Sequence, residues 1–162
     1  MTRSLREIFA MSRREIMNDP QFDWARHLVV RRRLVVGYVL LTLAAGALFG
    51  LSVGLKNPWL LAGFVTALPV FVFLIGSINA SLRGITEIRT AQLDEWQIAR
   101  RDAMFRQCWW PGLIIMAISG YIGAMTDMNA GLKAGVAIAA FFLTLYLPTA
   151  ALAWTLPEEP EA

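Results

Sequence analysis

Side chains able to do chemistry are few in this chain, and they are scattered. The single histidine, His27, neighbours Arg26 and belongs to no visible cluster of metal-ligating residues, so we read it as a polar residue at headgroup level. The single cysteine, Cys108, precedes Trp109 and Trp110 with no candidate base within a helical turn. It reads as an inert buried thiol, and it cannot close an intramolecular disulfide. Metal or haem chemistry requires clustered histidine, cysteine or carboxylate, and no such cluster is visible. Phosphate-binding loops, Gly-x-Ser-x-Gly and His-Glu-x-x-His are equally missing. Asn79-Ala80-Ser81 matches a glycosylation sequon, but at the end of an apolar run it is a coincidence. We therefore expect no catalytic, cofactor-binding or metal-ligating residue and no cofactor, and we expect the chain not to be an enzyme.

Two weaker polar signals concern transport. An ion- or proton-coupled carrier places an ionisable group at membrane depth. The apolar runs described next hold none, and Asp127 sits at an outer edge. A small homo-oligomeric channel or facilitator would instead use Ser77, Asn79 and Ser81 near the inner end of the second run, with Thr66 deeper. The competing reading is that these groups hydrogen-bond locally to the backbone.

What positions these groups is a set of long apolar segments. Hydrophobic residues make up 57% of the 162 residues and charges 17%, against about a quarter charged in a soluble domain. Residues 34–55 carry no charge, and as a helix they reach about 33 Å, enough for a hydrocarbon core of about 30 Å. Residues 57–82, 107–126 and 134–156 supply a second, third and fourth span. In lipid a lone segment must satisfy its own backbone hydrogen bonds, so each is expected to be a helix. The first span starts too deep in the sequence and is too long for a leader, so no cleaved signal is expected. The fold class that follows is an all-α membrane protein, a four-transmembrane-helix bundle with amphipathic helices at its cytoplasmic side.

Orientation comes from the arginines and lysines. Eight arginines lie in residues 1–33 and five in the connection 83–106, whereas the other two connections hold Lys56 and Lys133 alone. Both termini and the central connection are expected in the cytoplasm, and the arginine-rich, lysine-poor composition points to a bacterial inner membrane. Trp59, Trp109, Trp110 and Trp154 fall at span ends, the depth an amphipathic indole prefers. Net charge is +3 and the pI is near 9.5, yet the arginines flank the apolar runs instead of lining one soluble face, which argues against nucleic acid. The expected partners are the bilayer and its anionic lipids, met at Arg6, Arg13, Arg14, Arg31, Arg32 and Arg33.

The extramembrane segments carry helix signals. Ser4-Leu5-Arg6-Glu7 is a capping box opening a basic amphipathic helix within residues 1–33, which suits the headgroup layer. Asp19-Pro20 starts a second helix that should run through Trp24 into the first span. In the central connection Leu93, Trp96, Ala99 and Ala103 recur at helical spacing, and this helix should continue directly into the third span. Its other face carries Asp94, Glu95, Arg101 and Asp102, a solvated or a partner-docking surface. The stretch Thr90-Ala91-Gln92-Leu93-Asp94-Glu95-Trp96-Gln97, then Arg100-Arg101-Asp102-Ala103, resembles the juxtamembrane helix of small bacterial four-helix membrane proteins of uncharacterised function. That resemblance implies no activity. Residues 157–162 form an acidic tail.

Packing signals complete the reading. Gly46, Gly50 and Gly54 recur every four residues and make a smooth ridge, and Ser119 with Gly123, and Gly131 with Gly135 and Ala139, make shorter ones. Such ridges serve packing within the chain or between copies. Shifting the chain by 77 residues lays Gly46-Ala47 on Gly123-Ala124 and Gly54-Leu55-Lys56 on Gly131-Leu132-Lys133, which implies two tandem parallel hairpins related by a pseudo-twofold. Missing chemistry together with packing ridges leads us to expect an accessory, assembly or scaffold subunit of a membrane complex. A channel and a lipid-surface adaptor are the alternatives.

Overall fold

The protein's computed structural model describes residues 19–157. The capping box, Arg6, Arg13, Arg14 and the acidic residues after Pro157 lie outside the described residues. Within them stand four long helices, α1 Leu28–Gly54, α2 Pro58–Ser81, α3 Glu95–Met125 and α4 Ala130–Thr155, each apolar and long enough to cross a membrane. Together they form a four-span helical membrane protein.

The helices start where local chemistry satisfies their free N–H groups. Asn57 caps α2, accepting from the Trp59 N–H at 3.0 Å, with Pro58 in the first turn. Asn129 caps α4 by accepting from the Leu132 N–H at 2.9 Å. Asp94 and Gln97 form a reciprocal capping box that starts α3. From there α3 runs 31 residues without interruption, about 46 Å at the helical rise, so one rod joins the central connection to the third span. The helix expected to run from Pro20 into α1 is instead interrupted. Pro20–Phe22 form a 3₁₀ turn, Asp23–Arg26 one α turn, and His27 is extended at ψ 131°. That break lets the turn fold back against α2, with Ala25 fully buried.

Packing proceeds in the order α2, α1, α4, α3. The central pair is α1 and α4; α2 lies on α1 and meets α4 only slightly, and α3 lies on α4. In the span windows 33% of α1 residues and 39% of α4 residues are buried within the protein, against 11% in each of α2 and α3. The outer helices therefore turn most of their surface to lipid.

Small residues join the central pair in one half and aromatic rings fill the other. Gly46 and Gly50 of α1 stand against Gly131, Gly135 and Ala139 of α4, and Gly54 against Asn129. Toward the arginine-rich end Tyr38, Phe71, Phe142 and Tyr146 cluster with ring centroids 5.1–6.2 Å apart. The Tyr38 hydroxyl donates to the Phe142 carbonyl at 2.6 Å. Below them Ile75, Ile78, Leu82, Ile85, Met104, Leu152 and Leu156 close the core at that end.

The 77-residue register is not carried by the fold. It would lay the turn Leu55–Asn57 on Leu132, Lys133 and Ala134, which lie inside α4. It would also pair the α1–α4 contact with an equivalent between α3 and α2, and those two helices are not packed together.

Candidate functional site

The arginine-rich end holds the densest polar arrangement among the described residues. Three consecutive arginines there have three different fates, because successive residues on a helix point about 100° apart. Arg31 is 4% exposed and donates through Nη2 to the Leu156 carbonyl, which caps the end of α4. It is therefore not a headgroup residue: Val35, Tyr38, Thr42, Gly46 and Gly50 continue its buried stripe along α1. A signal for this existed in the sequence, since the glycine ridge marks the face of α1 that meets another helix. Arg32 is exposed and lies over the Trp154 indole, Cζ to ring centroid 5.3 Å. Arg33 is exposed. His27 is exposed at the break before α1, and Arg26 pairs with Asp23.

The connection between α2 and α3 is latched to the helix ends. At the end of α2 the Arg83 N–H donates to the Ala80 carbonyl and the Gly84 N–H to the Asn79 carbonyl, at 3.0 and 2.9 Å, with Arg83 and Gly84 at positive φ. This is a Schellman closure. The Asn79 side chain, 2% exposed, then donates to Glu87 and accepts from the Thr86 hydroxyl at 3.0 Å. The sequence carries no sign of this latch, because Asn79 meets Thr86 and Glu87 only through the turn at Arg83 and Gly84.

The four docking candidates separate into two kinds. Asp94 is the α3 cap, and Arg101 reaches back to the Thr90 hydroxyl at 3.0 Å and the Ile88 carbonyl at 3.5 Å. Both hold the chain's own connection in place. Glu95 and Asp102 are exposed on the first turns of α3, with Trp96 between them also exposed. Arg101 also lies 3.4 Å from the Asp102 carboxylate.

The small-residue ridges separate likewise. The Gly46–Gly50–Gly54 ridge meets Gly131, Gly135 and Ala139 inside the chain. On α3 the buried approach is Gly112, where an added β-carbon would lie 3.0 Å from the Thr144 methyl. Gly123 faces open space, and Ser119 is buried. Gly112 was missed because it has no small partner at four-residue spacing.

Thr66 and Ser81, two of the polar groups of the second span, bond within their own helix. The Thr66 hydroxyl bonds the Gly63 carbonyl at 2.9 Å on an exposed face of α2, and the Ser81 hydroxyl bonds the Ile78 carbonyl at 2.6 Å. Between α1, α2 and α4 a cleft lined by Tyr38, Ile75, Ile78, Tyr146, Thr149 and Ala150 encloses about 10 Å³, room for about one water molecule. Among the described residues no three histidine, cysteine or carboxylate side chains come together as a metal site would need. No family model, curated protein or solved structure matches this chain.

Proposed function

We propose that this four-span protein is a non-enzymatic accessory, assembly or scaffold subunit of a larger complex in a bacterial inner membrane. In this reading the arginine-rich end, both termini and the α2–α3 connection face the cytoplasm, as the positive-inside distribution implies. One observation carries the reading. Among the described residues helix α3 packs chiefly on α4, and from Phe105 through Trp109, Ile114, Ile118 and Tyr121 to Met125 it exposes large apolar side chains. The same rod bears Glu95, Trp96 and Asp102 outside the span. It thus offers a partner one rigid surface that is apolar in the bilayer and charged beyond it. The glycine ridge of α1 supports the reading from the other side, since it is used within the chain and leaves the outer helices, α3 among them, to meet other surfaces.

The test is purification of the natively expressed protein in mild detergent, read by mass and by mass spectrometry. A stoichiometric larger partner is expected, and I118A together with Y121A should release it while helical content stays constant. The reading is overturned if the chain runs alone or as a homo-oligomer without a partner, or if the purified protein by itself reproduces a flux or a turnover.

A further inference from the structure

We infer that Arg32 and Trp154 form a binding site for the phosphate headgroup of an anionic phospholipid at the arginine-rich end of the α1–α4 pair. The two residues sit on adjacent helices with the guanidinium over the indole, 5.3 Å from the ring centroid. A guanidinium held over an aromatic face by cation–π attraction keeps its planar fork of N–H donors, which matches phosphate oxygens two at a time. Both side chains are exposed, so the stacked pair faces the surroundings and not the core.

The arrangement is fixed before any ligand arrives. Arg31, the preceding residue, is buried and ties α1 to the Leu156 carbonyl just beyond Trp154. Its hydrogen bond ties the two helix ends together beside the Arg32–Trp154 pair. Among the described residues no acidic partner neutralises the outward-facing charge. The ion pairs among the described residues are Arg26 with Asp23 and Arg101 with Asp102, and Arg32 and the exposed Arg33 have none. Two cations without counter-ions at the end of an apolar helix attract an anion.

The surface next to Arg32 specifies a lipid anion. Val36, Leu40 and Leu43 follow Arg32 at helical spacing, and all three are exposed. They form an apolar track leading away from the guanidinium along one face of α1, where an acyl chain can lie while its phosphate meets Arg32. The indole N–H of Trp154 adds a donor at interface depth. This inference is independent of the accessory reading, since it requires only that the four helices span a bilayer.

The experiment uses the full chain, delipidated in detergent and titrated with phosphatidylglycerol or phosphatidylcholine, with bound lipid counted by native mass spectrometry. Phosphatidylglycerol should be retained in preference to phosphatidylcholine and resist an excess of inorganic phosphate. R32Q and W154L should each weaken it about fivefold. W154F, which keeps an aromatic face, should retain most of the binding, and R106Q, removing an exposed arginine from α3, should leave it unchanged. The site is overturned if R32Q binds as the parent does, or if R106Q weakens binding equally, since charge alone would then explain it. Displacement by inorganic phosphate would overturn the lipid assignment.

Discussion

Gly46 and Gly135 approach so closely that a β-carbon added to Gly46 would stand 2.7 Å from the Gly135 carbonyl oxygen and 2.8 Å from the Ala139 β-carbon. Neither distance is tolerable for real atoms, and a backbone oxygen cannot move aside as a side chain can. The central pair of helices is thus set by the absence of side chains at this crossing.

The first prediction contrasts two glycines of the same type. G46A forces the α1–α4 backbones apart, and overpacking of this kind costs about 1–3 kcal/mol. Gly123 has nothing within 4 Å of an added β-carbon, so G123A should gain up to about 1 kcal/mol from helix preference. The midpoint of unfolding in mixed micelles should fall for the first and hold or rise for the second. Equal effects would show that the seam is looser than described.

Arg31 and Leu156 give the second prediction. R31M removes a buried charged donor and leaves the carbonyl at the end of α4 without its guanidinium, a loss of about 1–3 kcal/mol. Leu156 N–H bonds the Leu152 carbonyl at 3.0 Å, so the last turn should fray first. Hydrogen exchange over residues 152–156 should accelerate, by about tenfold for each 1.4 kcal/mol lost. R33M, at an exposed position, should leave that exchange unchanged.

A third prediction concerns the latch. Asn79 holds Glu87 and Thr86 through one carboxamide. N79L removes both bonds, and because Glu87 is exposed and can turn to water, it should loosen the connection by about 0.5–1.5 kcal/mol. Trypsin should then cut faster after Arg83 and Arg89 than in the parent protein. T66L serves as the comparison, because Thr66 bonds only within its own helix on an exposed face, and its cleavage rate should match the parent.

These features differ in how far the sequence revealed them, and the reason is physical. A bilayer forbids charge over about 20 residues, so the spans were legible from uncharged runs, as was the continuity of Glu95–Met125 from its capping box and spacing. Glycine spacing exposed the ridges but not their pairing, since Gly46 matches any smooth surface and only three-dimensional packing selects Gly135. Arg31, Arg32 and Arg33 look alike as letters, and their different roles come from their angular positions on α1. Asn79 was opaque because its partners, Thr86 and Glu87, are brought back by a turn closed by positive φ at Arg83 and Gly84.

The last prediction follows from a second strained position. Lys56 adopts φ 51° at the end of α1, and the Asn57 N–H reaches back to the Ser52 carbonyl at 3.0 Å. That closure places Lys56 where glycine is normally found, because an L side chain in the left-handed region costs about 1–2 kcal/mol. K56G should therefore stabilise the protein by about 1 kcal/mol, the gain being reduced by the wider conformational freedom of glycine in the unfolded chain. At the other turn, Gly84 stands at φ 71° and is buried, so G84A should cost about 1 kcal/mol by the same steric argument. The two substitutions exchange the same pair of properties in opposite directions, so their unfolding midpoints should move in opposite directions. If K56G lowers the midpoint instead, the lysine contributes more through its charge near the free carbonyls of α1 than it loses to backbone strain. That charge term, about 0.3–1 kcal/mol at an exposed helix end, would be separated by repeating the measurement in high salt, where it is screened and the strain is not.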